Sequence, residues 1–282
     1  MILVTGATGN VGREVVAALM DRKQPVRAAA IDQDDAQRLP AEADVALLDF
    51  TNPDTYASAL KGIQKVFLIR PPQLADMDST LNPFVDLAQR MGVNQIIFVS
   101  LLGVEDNSRV PHYDAEKHIR ASGVSYTFLR PSFFMQNLNT THREEIRERD
   151  EIYIPAGRAR TSFIDVRDIG AVAATVLTEA GHKNKTYDLT GGEALDYFQV
   201  AEIFSQELGR EISYQNPSIP AFVWYSWRHG RPLKFTLVMA LLYKATRAGD
   251  ADVISDDVNR LLSRPPISFR EYVQDYAACW KK

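Results

Sequence analysis

The sequence predicts an α/β protein, a doubly wound parallel sheet followed by a smaller α+β lobe. Three observations carry that reading. A short apolar run, Ile2–Val4, enters a turn with Gly6, Gly9 and Gly12 spaced three apart, and a helical pattern follows at once. Strand-like apolar runs and amphipathic helical stretches then alternate as far as residue 136. Over 137–282 the alternation loosens, and the composition turns first polar and then aromatic, so the expected division is a sheet domain over 1–136, its sheet completed by later segments, and a mainly C-terminal lobe over 137–282.

The first βα unit is the most informative. Ile2, Leu3 and Val4 suit a buried parallel strand. Arg13–Met20 sets Val15, Val16, Leu19 and Met20 along one side of a helix. Between them, Gly6 permits a sharp turn, Gly9 permits close approach of a pyrophosphate, and Gly12 permits close packing of helix on strand. The free N–H groups and positive end of the helix would face the phosphates, so Thr8, Asn10 and Val11 join the candidate contacts. A glycine turn can also bind nothing. Its position between a strand and a helix, with further βα units behind it, favours the binding reading.

The second strand is expected over Pro25–Ile31 and runs into Asp32, Asp34 and Asp35. An acidic residue here grips the ribose 2′-hydroxyl of NAD, whereas an arginine accepts the 2′-phosphate of NADP. Asp32 is the candidate, and carboxylates beside a 2′-phosphate would repel it, which favours NAD(H) over NADP(H). The same acids also suit the first turn of a helix, and both readings stay open. Asp44–Phe50 is the third strand, with Asp49 and Phe50 where an adenine would lie. Val66–Ile69 is the fourth, closed by Arg70 and Pro71, and Ile96–Ser100 is the fifth, followed by Leu101. Their carboxyl ends should border the ligand crevice. A helix over Pro111–Ala121, with proline at its first position, leads to a sixth strand, Val124–Arg130, which ends in Pro131-Ser-Phe-Phe-Met-Gln-Asn137.

Composition narrows the function classes. The chain has 282 residues, 45% hydrophobic and 24% charged, with a net charge of −4. That is an ordinary globular composition with no basic footprint for direct nucleic-acid binding. No apolar stretch has the length of a membrane span. The start enters a strand without a signal peptide, so a cytoplasmic location is expected. Cys279 is the only cysteine, which excludes disulfide frameworks and cysteine zinc sites, and no metal is expected.

Taken together, TGATGNVG, ALKGIQKVFLI, FVSLLGV, SGVSYTFLRPSFFMQN and FIDVRDIGAVAATVL resemble the NmrA-like group of atypical short-chain dehydrogenases. KTYDLTGGEAL and SRPPISFREY are similar to its bacterial reductases of quinones and triphenylmethane dyes, and the resemblance covers nearly the whole chain. It implies a nicotinamide dinucleotide, NAD(P), lying across the strand ends. The glycine-rich turn would hold the pyrophosphate, Ile69–Pro71 would lie near a ribose, and Pro131–Phe133 beside the nicotinamide. Phe134 and Asn137 would face the substrate, although Phe133 and Phe134 also suit plain core packing. The family's NADP-binding arginine at the end of the second strand is replaced by Ile31, which again favours NAD.

Tyr113-Asp-Ala-Glu-Lys117 matches the Tyr-x-x-x-Lys signature of short-chain dehydrogenases, where tyrosine is the general acid. The register makes it a decoy. Aligned on Gly123 and Glu116, the lysine position of related enzymes falls on His112 and the tyrosine position on Ser108. At about 100° per residue, Lys117 should turn away from the direction of His112, with Glu116 on the same face as His112. His112 is therefore the catalytic candidate, to hold the cofactor ribose or a substrate oxygen, with a helix-start surface histidine as its alternative.

The second half should hold a polar helix over 137–150, a strand at 152–155, a helix at 166–179, a strand at 187–190, a helix at 200–208 and a strand at 211–214. Pro220–Ala248 is an aromatic, apolar stretch that suits a flat substrate, a core or a homodimer face. Ser268-x-x-Glu271 reads as a capping box. The expected function is an NAD(P)H-dependent reductase that passes a hydride to a quinone, azo dye or similar conjugated acceptor. The alternative is a non-catalytic NAD(P)-binding redox sensor acting through a regulatory protein partner, which the missing tyrosine acid leaves open.

Overall fold

The structure, a computed structural model, describes residues 1–247, 249 and 251–282. Ala248, the end of the apolar stretch, lies outside the described residues. Seven strands form one sheet: β1 (Ile2–Val4), β2 (Val26–Ala30), β3 (Asp44–Leu47), β4 (Lys65–Ile69), β5 (Gln95–Val99), β6 (Ser125–Pro131) and β7 (Lys185–Leu189). Their order is β3-β2-β1-β4-β5-β6-β7, and every pairing is parallel. The chain steps outward from β1 through β2 to β3, then crosses to β4 on the other side of β1. That reversal makes the β1/β4 boundary the topological switch point, where open α/β sheets bind ligands at the carboxyl ends of their strands. β2 and β3 stop at Ala30 and Leu47, short of the expected Ile31 and Phe50. β3 is an edge strand that pairs, among the described residues, with β2 alone, and the paired positions run out together at Ala30 and Leu47.

The chain separates into two compact units. The first comprises Met1–Pro131, Val166–Leu189 and Asp257–Arg264; the second comprises Ser132–Asp165, Thr190–Asp256 and Pro265–Lys282. The boundary expected at residue 136 thus falls at Pro131, and the later segments 166–189 and 257–264 return to the first unit to complete it.

In the first unit, helices α1 (Asn10–Asp21), α2 (Gln33–Ala36), α3 (Tyr56–Leu60), α4 (Leu81–Arg90), α5 (Pro111–Ala121), α6 (Val166–Thr178) and α7 (Asp257–Leu262) accompany the sheet. Alternate strand residues (Leu3, Val66, Leu68, Ile96, Phe98, Phe128) share a core with Tyr56, Phe84 and Ile119 of α3, α4 and α5. Burying such side chains contributes roughly 1.5–3 kcal/mol each. α1 and α6 pack backbone to backbone. A Cβ on Gly170 would stand 2.6 Å from Glu14 Cβ and 2.9 Å from the Glu14 carbonyl carbon, so only glycine fits.

The second unit holds helices Arg143–Arg149, Tyr197–Leu208, Ile219–Arg228, Leu233–Thr246 and Phe269–Asp275, with a two-stranded parallel ribbon, Glu151–Ile152 on Ser213–Tyr214. The polar helix expected over 137–150 is confined to Arg143–Arg149. A 3-10 turn at Met135–Asn137 precedes it, and Asp150 ends it in the left-handed region at φ 57°. Ser268 caps the helix Phe269–Asp275 by accepting from Glu271 N at 3.1 Å. An unforeseen capping box joins Asp196 and Gln199 at the start of Tyr197–Leu208. Among the described residues, no helix is long and apolar enough to cross a membrane, and no three His, Cys, Asp or Glu side chains gather to hold a metal ion.

Candidate functional site

The glycine-rich turn joins β1 to α1 at the switch point. Gly6 has φ 59°, a conformation glycine adopts without the Cβ clash of other residues. Gly9 N donates to Gly6 O at 3.0 Å, which closes the turn. Gly12 is required by contact rather than by torsion. A Cβ there would lie 2.0 Å from Gly6 O and 2.6 Å from Gly6 C. Gly9, in contrast, is exposed, and its Cβ would meet only Gly6 O, at 3.3 Å. α1 begins at Asn10 with no side-chain cap and no acid in its first turn. Its leading N–H groups and positive dipole end are therefore suited to an external anion. Thr8 and Asn10 are half-buried at this end, while Val11 is buried beneath it.

Thr5, which the sequence reading did not single out, ties the turn to β4. Its Oγ1 accepts from Ile69 N at 2.8 Å. The Ile69 side chain lies over Gly6, at 3.5 Å from where a Cβ would stand. Ile69 thus borders the turn directly, as its place at the end of β4 predicts. Arg70 is turned inward, donating from Nη1 to the carbonyls of Pro71 at 3.0 Å, Pro72 at 3.3 Å and Leu74 at 2.5 Å. Its guanidinium shapes the loop after β4, and burial lowers its pKa.

Arg70 Nε also donates to His112 Nε2 at 3.4 Å. This makes Nε2 the acceptor and assigns the ring proton to Nδ1. Burial, with Arg70 beside it, pushes the imidazole pKa down to about 3, so His112 is neutral near pH 7. Among the described residues its buried Nδ1 has no hydrogen-bond partner, and neither has the buried Ser100 Oγ just past β5. Buried polar groups are normally paired, so two orphans at the carboxyl ends of the strands are the pattern expected where a ligand supplies the partner. Leu101 is half-buried next to Ser100, and Pro131 accepts from Leu102 N at 3.2 Å, which closes the β5–β6 end.

α5 places the two sets of candidates differently. Glu116 lies buried one turn beyond His112 and makes a two-pronged ion pair with Arg130, at 3.0 and 2.8 Å. Tyr113 is half-buried and Lys117, five residues on from His112, is exposed. The Asp32 side chain caps α2, accepting from Asp35 N at 2.8 Å. Asp35 is the carboxylate in contact with the turn, through Thr8 Oγ1 at 3.1 Å. Asp49 folds back on its own loop, accepting from Thr51 N and Oγ1 at 2.8 and 2.7 Å. The Phe50 ring is not a platform for adenine. It is 5% exposed and packs edge-on against Phe84 at 5.2 Å, because the polypeptide turns inward after β3 ends.

The remaining candidates belong to the second unit. The Phe133 ring stacks on Tyr243 with centroids 6.4 Å apart, and its backbone O accepts from Ile164 N at 2.9 Å. Phe134 pairs with Ile164 in an isolated bridge, and half-buried Asn137 accepts through its carbonyl from His142 N at 3.0 Å. A second buried pair was missed in the sequence, His142 Nε2 and Tyr243 Oη at 2.7 Å. The stretch after Pro220 buries Phe222, Ala240 and Tyr243 but exposes Trp224, Trp227, Val238 and Leu241. Ile219, Pro220, Val223, Trp224, Trp227 and Leu233 line an apolar groove of about 420 Å³.

A glycine-rich turn feeding an open helix N-terminus at the switch point of a seven-stranded parallel sheet defines a Rossmann-like protein of the nucleotide-binding class. The sequence profile of the NmrA-like family matches residues 1–255, and the chain belongs to that family. It is 33% identical to NAD(P)H azoreductase from Xenophilus azovorans, over 99% of each chain. It is 30% identical to quinone oxidoreductase 2 from Escherichia coli, over 77% of this chain and 78% of the relative. Among solved structures, Citrobacter sp. triphenylmethane reductase complexed with NADP(H) superposes with a TM-score of 0.88 at 27% identity, covering 98% of this chain and 99% of that one. The NADPH-dependent quinone oxidoreductase of Escherichia coli, complexed with NADPH, gives a TM-score of 0.88 at 28% identity and covers 98% of this chain and all of the other.

Proposed function

We propose that this protein is an NAD(P)H-dependent reductase that delivers a hydride to a conjugated acceptor of the quinone or azo-dye kind. The observation that carries the reading is the uncapped start of α1 over a turn whose Gly12 admits no side chain, with Ser100 Oγ just past β5 and His112 Nδ1 at the start of α5 unpartnered among the described residues. Relatives named for azo, quinone and triphenylmethane reduction support the same chemistry. The nicotinamide, when bound, supplies the hydride. Everything else falls to this chain's residues. Gly6, Gly9 and the α1 N–H groups seat the pyrophosphate. Ile69 packs over the turn, and neutral His112 donates from Nδ1 to a cofactor or substrate oxygen. With its pKa near 3, His112 is neutral at pH 7, and in this reading its Nδ1–H positions an oxygen by donating a hydrogen bond. The proton that completes reduction of the acceptor then comes from water, a step that positioning alone can support.

NADH is favoured over NADPH in this reading, because exposed, apolar Ile31 ends the β2 region and carboxylates follow it. The test is acceptor-dependent oxidation of NADH and NADPH with quinones and azo dyes, on the wild type and on His112→Ala. Acceptor-dependent turnover in the wild type, reduced about tenfold or more in the variant, is the expected result. Calorimetric binding of cofactor without turnover on any acceptor would overturn the reductase in favour of a sensor.

A further inference from the structure

We propose that Asp35, pinned against the glycine-rich turn, is the residue that discriminates the ribose 2′-hydroxyl of NADH from the 2′-phosphate of NADPH, with Arg38 as its counter-ion. This rests on the nicotinamide reading above and assigns its selectivity to particular atoms. Asp35 Oδ2 accepts from Thr8 Oγ1 at 3.1 Å and from Ile31 N at 3.2 Å. One carboxylate oxygen therefore ties the turn to the residue that follows β2. Asp35 therefore stands between the turn that would seat a pyrophosphate and the end of β2, where an adenosine ribose would lie. Asp32 does not compete for the role, since its own carboxylate caps α2. Asp34 is exposed, and Ile31 offers only an apolar side chain.

Arg38 donates from Nη1 to Asp35 Oδ1 at 3.1 Å and reaches the Thr8 carbonyl from Nη2 at 3.4 Å. The Asp35 side chain is only 17% exposed, whereas that of Arg38 is 65% exposed. The carboxylate is thus the fixed partner and the guanidinium the adaptable one. A 2′-hydroxyl can donate to Asp35 and keep this arrangement. A 2′-phosphate is mostly dianionic near pH 7, so it donates poorly and brings like charge onto the carboxylate. With the carboxylate neutralised, the planar guanidinium of Arg38 is released to take a phosphate with paired donors.

The experiment is calorimetric titration of NADH and NADPH into the wild type, Asp35→Asn, Asp32→Asn and Arg38→Ala. The wild type should bind NADH more tightly. Asp35→Asn should move the ratio of the two dissociation constants at least about tenfold toward NADPH. Arg38→Ala should weaken NADPH several-fold and NADH by less than about twofold, and it reads the proposal even if Asp35→Asn fails to fold. Asp32→Asn should leave the ratio unchanged. If the wild type binds neither dinucleotide, the nicotinamide reading itself fails. If both bind and Asp35→Asn leaves the ratio within about twofold, or Asp32→Asn moves it instead, Asp35 is not the discriminator.

Discussion

Replacing Gly12 by alanine tests how the turn is built. The added methyl would lie 2.0 Å from Gly6 O, 2.6 Å from Gly6 C and 2.9 Å from Ala7 Cα, all backbone atoms that cannot rotate away. An ordinary contact is about 3.5 Å, so the start of α1 must retreat from the turn by about 1.5 Å. Overpacking of this kind costs about 1–3 kcal/mol, which corresponds to a fall in Tm of roughly 2–10 °C for a chain of this size. The displaced N–H groups should also weaken NADH binding by at least about tenfold. Gly9→Ala is the companion variant. Its methyl meets a single atom at 3.3 Å in an exposed position. It should leave stability within about 0.5 kcal/mol while still obstructing the phosphates. Urea midpoints and calorimetric titration read both effects. A Gly12→Ala protein with wild-type midpoint and affinity would refute the claim that backbone contact imposes glycine here.

Two further predictions concern buried charge. Burial, with an arginine nearby, pushes both His112 and His142 down to about 3, whereas the unfolded chain titrates near the ordinary histidine value. Between those values the unfolded state binds more protons, so stability is complete above about pH 6.5 and falls as the pH drops toward 3. At pH 5 the loss is roughly 2 kcal/mol per histidine; the urea midpoint should fall between pH 7.5 and 5, less steeply in His142→Gln, and equal slopes would count against burial as the cause. Glu116→Gln should destabilise by about 1–3 kcal/mol in urea, at the lower end for a buried pair, because Arg130 keeps a second partner in Glu105 at 2.6 Å. A loss below about 0.5 kcal/mol would show that the pair does not hold β6 to α5.

Local chemistry made much of the first unit readable. α5 was delimited to the residue, Pro111–Ala121, because proline fits a first helical position and Gly123 soon follows in a left-handed conformation. The glycine turn was readable because its steric demands lie within seven residues. The choice between Asp32 and Asp35 was not. It depends on where a four-residue helix begins, and a shift of three residues exchanges the cap for the residue that touches Thr8. Phe50 reads as available because it ends the expected third strand, but its burial depends on Phe84, which no local pattern links to it. Thr5 to Ile69 and His142 to Tyr243 join residues 64 and 101 apart, beyond any periodicity. β6 runs one residue past its expected end, Arg130, to pair Pro131 with Leu189, a partner 58 residues on that no local pattern links to it.

That last pairing has a consequence for how the chain can be divided. β7 arrives from residues 185–189, after the polypeptide has left the first unit and returned to it. Any fragment ending near 131 or 136 would present the whole of β6 as an open edge of main-chain donors and acceptors, the template on which strands of other molecules add. During synthesis the same edge stays unpaired until residue 189 has left the ribosome. Neither unit can be cut out as one contiguous piece of gene, so exchange of parts between relatives must respect the crossings at 131, 165, 189, 256 and 264 together.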